Sequence, residues 1–252
     1  MQCKSVTSAT AKGQRPYQED RLFTSTMEEG TLIAVFDGHG GDEVSHLASE
    51  KLPSIFAAEI AEEGAAGRIP DVLRNCVQKL NIMTQSEEPG STISLAFIPA
   101  KGDMVTCAVM GDSPIIIKDA DGNINISPDH NVRTNPIEKK AAEARGGYVS
   151  GGYLFATYSG MGLQMARALG DSHLDKVLSR VPDVYEVKVN KNSFVIVASD
   201  GAFDPGHYDF KKAAQTIVEL VERGQEAKEL VHRAAVDYPT GDNVTAIIAR
   251  FQ

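Results

Sequence analysis

Residues 31–41 read TLIAVFDGHGG. The first half, Thr31–Phe36, is an apolar run that reads as a short strand. The second half drops that pattern at once: an acid, a histidine and three glycines occupy residues 37–41. Glycine-rich loops behind strands often cradle phosphate through backbone N–H groups. Asp37, at the mouth of this one, would repel an anion. The stretch alone leaves three readings open: a phosphate cradle, a metal site or a plain turn.

The neighbouring residues decide the setting. Leu22–Thr26 precedes it as another β-rich run, and Ser91–Ile98, Met104–Met110, Pro114–Lys118, Val184–Val189, Ser193–Ala198 and Val244–Phe251 follow. KGD at 101–103 and DADGN at 119–123 have the composition of hairpin turns. Several of these strands succeed one another with no room for a crossover helix, which favours antiparallel pairing. Apolar residues at helical spacing mark Asp42–Ala61, with Pro53 a candidate kink, and Pro70–Met83. A second pair, Phe210–Glu222 and Gln225–Val236, is separated by Gly224, and Pro136–Arg145 is a fifth helix. Ser150–Gly162 is rich in glycine and tyrosine without periodicity and reads as an irregular loop with scope to move. Hairpins combined with paired amphipathic helices predict an α+β layered domain with helices on the outer faces of its sheets.

That arrangement gathers acids. Asp20 lies before one strand of the first hairpin and Asp37 after the other, so antiparallel pairing puts both on one edge. Asp200 follows the 193–198 run and Asp242 precedes the 244–251 run, and the same logic applies. Asp112 sits in the turn MGDS. A single Asp beside glycine is most often turn chemistry, the reading given to Asp119 and Asp121. Several carboxylates on one edge raise each other's pKa unless cations bridge them. An all-oxygen set suits Mg²⁺ or Mn²⁺, and a pair of such ions roughly 4 Å apart activates water against phosphate esters.

The 252 residues carry a net charge of −9, with 42% hydrophobic and 23% charged residues. These values are ordinary for a globular chain, and the acidity argues against nucleic acid as a partner. Cys3, Cys76 and Cys107 lack metal-ligand or disulfide spacing, which points to a reducing compartment. No apolar run reaches the about 20 residues that span a bilayer. The expectation is a soluble monomer in the cytoplasm, with the nucleus also open to it.

Eight segments, in order, then carry a resemblance: RPYQED (15–20), VFDGHGG (35–41), GSTISLAFI (90–98), VMGDS (109–113), SPDH (127–130), ARALGD (166–171), VASDGAFD (197–204) and GDNVTAII (241–248). Together they resemble the type 2C metal-dependent serine/threonine protein phosphatases almost end to end. The resemblance implies a four-layer α/β/β/α sandwich, two antiparallel β-sheets flanked by antiparallel helix pairs. It implies one catalytic domain over 1–252, without a regulatory extension. The expected reaction is Mg²⁺/Mn²⁺-dependent hydrolysis of phosphoserine and phosphothreonine in protein substrates, by direct attack of water held between two ions. Asp37 is expected to bridge the ions, the Gly38 carbonyl to bind one, and Asp200 and Asp242 the other. Glu19 and Asp20 would bind directly or through water, and Asp112 with Asp200 would hold a weaker third ion. Arg15 would grip the phosphate, and His39 would protonate the leaving oxygen, a role worth ~10²–10⁴-fold. Two alternatives stand beside this reading: a catalytically silent binding scaffold, and a metal-dependent phosphoesterase acting on small phosphates.

Read alone, Arg15 is a solvated charge and His39 a turn residue; the resemblance reverses both. Asp171 and Arg167 are expected to buttress the cleft, and Asp204 and Asn243 to be structural or to lie outside the direct ligand set. His46, His130, His173, His207 and His232 show no ligand spacing. Tyr153, Phe155 and Tyr158, in the segment beside the cleft, are expected to shape substrate choice.

Overall fold

The computed structural model describes residues 2–63, 68–157, 159–203 and 210–252. Along the chain run β1 (Cys3–Ala11), β2 (Arg21–Thr26), β3 (Gly30–Phe36), β4 (Gly38–His39), α1 (Glu43–Glu63), α2 (Ile69–Thr84), β5 (Gly90–Ser91), β6 (Ile93–Pro99), β7 (Met104–Met110), β8 (Ile115–Lys118) and β9 (Ile124–Ile126). Then come α3 (Pro136–Ala144), β10 (Tyr148–Ser150), β11 (Tyr153–Phe155), β12 (Leu169–Gly170), β13 (Asp183–Lys188), β14 (Phe194–Ala198), α4 (Phe210–Glu222), α5 (Ala227–His232) and β15 (Val244–Phe251).

Two five-stranded sheets form, β1-β15-β14-β8-β9 and β13-β7-β6-β3-β2, with every neighbouring pair antiparallel. Side chains alternate across each strand, so β3 serves two cores. Ile33 and Val35 meet Val109, Val197 and Ile247 between the sheets. Leu32, Ala34 and Phe36 meet Leu52, Phe56, Leu73 and Leu80 of α1 and α2. On the far side, Val244, Ala246 and Ile248 of β15 pack with Val218, Val221 and Leu230 of α4 and α5. Each fully buried aliphatic or phenyl side chain contributes about 1.5–3 kcal/mol. The result is the expected α/β/β/α sandwich.

Three departures from the sequence expectation matter most. β1 was not anticipated; its polar, small residues are stabilised by pairing along β15 from Cys3↔Phe251 to Ala11↔Val244. The segment expected as an irregular loop from Ser150 begins instead as a hairpin through Phe155. Gly151 and Gly152, at φ 58° and 85°, turn β10 into β11, and Leu154 bonds Leu163 in both directions at 2.7 and 2.9 Å. The last helix of the second pair is α-helical only over Ala227–His232 and widens to a π turn over Arg233–Asp237. Pro53 lies inside α1 without ending it. No helix among the described residues is long and apolar enough to cross a membrane.

Candidate functional site

Register brings the acids together. Arg21 pairs with Phe36, so Asp20 and Asp37 flank one end of the β2–β3 hairpin. The β14–β15 ladder ends at Ala198↔Ala246, and Ser199 N donates to Thr245 O at 3.0 Å, leaving Asp200 and Asp242 beyond that end. Asp112 occupies the turn between β7 and β8. Glycines allow the closeness: a Cβ on Gly201 would lie 2.0 Å from Asn243 O, and one on Gly38 2.4 Å from Glu19 O.

The carboxylates feel one another. Burial first, then the charges of Asp20, Asp200, Asp112 and Asp242, drive the Asp37 carboxyl well above its ordinary value. Asp20 is pushed up to about 6, by burial first and with the charge of Asp242 adding to it. Burial, then Asp129, raises Asp112, against the Asn131 amide. Neutral groups fix the side chains. Ser199 Oγ donates to Asp20 Oδ2 at 2.8 Å, Ser113 Oγ to Asp37 Oδ2 at 3.3 Å, and Asn131 Nδ2 to Asp112 Oδ2 at 2.8 Å. Asp37 is held at its backbone as well: its N donates to Thr92 Oγ1 at 3.1 Å, and its O accepts from Thr92 N at 2.9 Å. Asp20 Oδ1 is buried with no hydrogen-bond partner among the described residues.

An orphaned buried oxygen amid crowded carboxylates is what a hard divalent cation would satisfy, so the residues fit such an ion. Among the described residues, however, no three His, Cys, Asp or Glu side chains form a ready-made cage for one ion. The structure shows shared charge, not a closed coordination shell.

The remaining predicted residues border this edge. Glu19 Oε1 accepts from Gly41 N at 2.7 Å, and Glu19 N donates to Asn243 Oδ1 at 2.8 Å. Asn243 Nδ2 donates to Lys12 O at 2.8 Å and Tyr17 O at 2.9 Å, which ties the 12–19 segment to the Asp242 turn. Arg15 is exposed; its Nη2 pairs with Asp242 Oδ2 at 2.9 Å and its Nε donates to Gly241 O at 3.0 Å. His39 Nε2 meets both Asp171 oxygens, at 3.0 and 2.9 Å. Burial alone would lower the His39 pKa; the Asp171 hydrogen bond and charge, helped by Asp112 and Glu19, outweigh it and raise the value. Beside Asp112 and Asp200 opens a cavity of about 120 Å³, walled by Pro114, Ile126, Phe203 and Phe210, with Arg133 lining it.

A family model described as protein phosphatase 2C matches residues 7–244. The chain belongs to the protein phosphatase 2C family. Its enzyme class is that of the protein serine/threonine phosphatases. It is 28% identical to "Probable protein phosphatase 2C 59" of Arabidopsis thaliana, over 96% of this chain and 78% of that protein. The serine-threonine phosphatase 2C of Toxoplasma gondii superposes with a TM-score of 0.77 at 20% identity, over 98% of this chain and 94% of that one. The catalytic domain of the phosphatase PstP, solved with two manganese ions, gives 0.66 at 22% identity, over 98% and 97%.

Within this family member the secondary residues sort cleanly. Arg167 buttresses as expected, bonding Glu138 at 3.0 and 2.5 Å and Asp183 at 3.2 Å. His130 is buried and satisfied: Nδ1 accepts from Gly111 N at 3.0 Å and Nε2 faces Asp183 at 3.0 Å. His46 and His232 are exposed beside Glu50 and Asp237. Asp119 accepts from the backbone of Asp121 and Asn123 at 2.9 and 2.8 Å, as turn chemistry requires. Tyr153 accepts from Gln164 at 3.0 Å, and Phe155 stacks on Tyr148. Tyr158, Asp204 and His207 lie outside the described residues. The partnership of Asp171 with His39 was missed; 132 positions separate them, and only the ALGD segment hinted at a role.

Proposed function

We propose that this chain removes phosphate from phosphoserine and phosphothreonine in proteins, by direct attack of water and with Mg²⁺ or Mn²⁺ bound. The observation that carries this reading is Asp37, driven up by burial and by four other carboxylates along one edge. Asp37, Asp20, Asp200, Asp242 and the Gly38 carbonyl would hold two ions, with Glu19 beside them and Asp112 toward a weaker third. Bound there, the ions supply the charge that receives phosphate and the acidity that makes water nucleophilic near neutral pH. Arg15 offers a fork of donors to the phosphate oxygens, exchanging its contact with Asp242 for substrate. His39 carries the proton that the poor serine or threonine leaving group requires.

Protein stripped with EDTA and resupplied with Mn²⁺ should release phosphate from a phosphothreonine peptide, and Asp200→Asn should abolish the release. Full activity in that variant would overturn the metal assignment. Turnover of nucleotides above that of phosphopeptides would favour a small-phosphate esterase instead.

A further inference from the structure

We propose that Asp171 is the residue that aims His39: it holds ring nitrogen Nε2, which leaves Nδ1 as the atom that delivers a proton to the departing serine or threonine oxygen. The proposal rests on the phosphatase reading above and assigns the proton's path within it.

The three-stranded sheet β12-β5-β4 supplies the register. Gly90 of β5 stands opposite His39 on one side and Gly170 on the other. Asp171 follows Gly170 immediately, and its N donates to Pro89 O at 3.0 Å. Asp171 is 2% exposed while the His39 ring keeps 26% of its side chain open, so one end of the pair is sealed and the other faces out. Both carboxylate oxygens reach the same nitrogen. A carboxylate can only accept from it, so Nε2 bears a hydrogen and the remaining acidic position is Nδ1.

Two further features show that the pair is built in. Asp171, at φ 50° and ψ 51°, is the one non-glycine residue with positive φ among those described. Such conformations persist where surroundings enforce them, often at functional sites. A Cβ on Gly90 would stand 2.1 Å from Asp171 Oδ2 and 2.3 Å from His39 Nε2. The chain therefore keeps this gap free of any side chain.

In the reaction, the bond from phosphorus to the serine or threonine oxygen breaks and its electron pair stays on that oxygen. The oxygen takes the proton from Nδ1. The water oxygen bonds to phosphorus, and the proton that the water gives up returns to Nδ1.

The test compares leaving groups. Asn tolerates the left-handed conformation and matches Asp in shape, so Asp171→Asn keeps the backbone. It should lower kcat on a phosphothreonine peptide ~10–100-fold, a part of the full general-acid effect, with KM unchanged. On p-nitrophenyl phosphate, whose phenolate departs without a proton, the fall should be at most about threefold. In a His39→Ala background, Asp171→Asn should add no further loss. Equal falls on both substrates, or a further loss in that background, would reduce Asp171 to a buttress. ¹⁵N–¹H spectra of the metal-free protein provide a readout independent of turnover: His39 should carry its hydrogen on Nε2, and Asp171→Asn should shift it toward Nδ1. An unchanged spectrum overturns the proposal. Wild-type protein inactive on both phosphate esters with Mn²⁺ would sink the phosphatase reading alone, and the ring spectrum would still decide the role of Asp171.

Discussion

Replacing Gly90 with alanine tests how tightly the His39–Asp171 pair is built. Gly90 is buried, and its φ is not in the left-handed region. At such a position in a strand, alanine would ordinarily stabilise by about 0.4–1 kcal/mol. Here the new methyl would stand 2.1 Å from Asp171 Oδ2, 2.3 Å from His39 Nε2 and 2.5 Å from Asp171 Cγ. Ordinary contact lies near 3.5 Å, so Asp171 Oδ2 must retreat by about 1.4 Å and His39 Nε2 by about 1.2 Å. Swinging the ring of His39 away would leave the Asp171 contact in place, so both side chains are displaced and their hydrogen bond is broken. Overpacking costs about 1–3 kcal/mol, and a lost hydrogen bond to a charged group about 1.5–3 kcal/mol. The two overlap, since the retreat that relieves one causes the other. Less the backbone gain, about 2–3 kcal/mol of destabilisation remains, or roughly 4–12 °C in thermal midpoint for a chain of this size. Gly160→Ala is the matched control: its Cβ would meet nothing within 4 Å, and its φ is ordinary. Differential scanning calorimetry of both variants in EDTA reads the difference without metal. A Gly90→Ala midpoint equal to or above that of Gly160→Ala would refute the reasoning.

Three further outcomes follow from other contacts. Mn²⁺ should raise the thermal midpoint of EDTA-treated protein, by about 2.7 kcal/mol of stability at a hundredfold excess over Kd; Asp37→Asn should remove the rise, and an undiminished shift would place the ions elsewhere. Arg15→Ala should raise KM for a phosphopeptide roughly tenfold through the lost donor fork without weakening Mn²⁺ affinity by calorimetry, since Asp242 is then released; a weaker affinity would mean that Arg15 orders the carboxylate for metal. Glu59 joins α1 to α2, accepting from Asn75 at 2.8 Å and pairing with Lys79. The Lys79 hydrogen bond, against burial, holds its carboxyl below the usual range. A depressed acid contributes stability at neutral pH that is lost as pH falls through its folded value, so wild-type protein should lose more stability between pH 5 and 3 than Glu59→Gln. Parallel denaturation curves would argue against that pair.

The parts legible in the sequence are those that bury two-sided apolar surface. β7, β15 and α4 begin and end where their apolar patterns do, because residues such as Val105 and Ile248 have no stable alternative to burial. The acids were legible for a related reason: antiparallel pairing converts "before one strand, after the next" into a shared edge. β1 escaped because CKSVTSATA offers no run of large apolar residues; its strand character comes from β15, 233 or more positions away for most of its length. The β10–β11 hairpin escaped because three-residue strands are too short to show a period, although Gly151-Gly152 is itself a turn signal. The Asp171–His39 pair depends on two-residue strands set side by side. Register of that kind is a tertiary outcome with no local signature.

The chain also contains its own control for the meaning of the acid cluster. Several acids with structural roles in this molecule are answered by cations: Glu138 and Asp183 share Arg167, Glu59 takes Lys79, and Asp42 takes Arg21. Each of these pairs neutralises charge in the folded chain itself. Along the acidic edge the partners of Asp20, Asp37 and Asp112 are instead hydroxyls and a carboxamide, which orient a carboxylate without cancelling it. Asp242 meets Arg15 there, and that arginine is exposed and able to leave. Orientation without neutralisation leaves the metal-free protein carrying repulsion that burial intensifies. A fold selected for stability alone would place a lysine or arginine in that space. Keeping the charge unanswered makes physical sense when a cation from solution completes the site, and it predicts the sign of a simple comparison. Neutralising Asp37 as Asn should stabilise the metal-free protein while removing its response to Mn²⁺, whereas neutralising Glu138 as Gln should only destabilise.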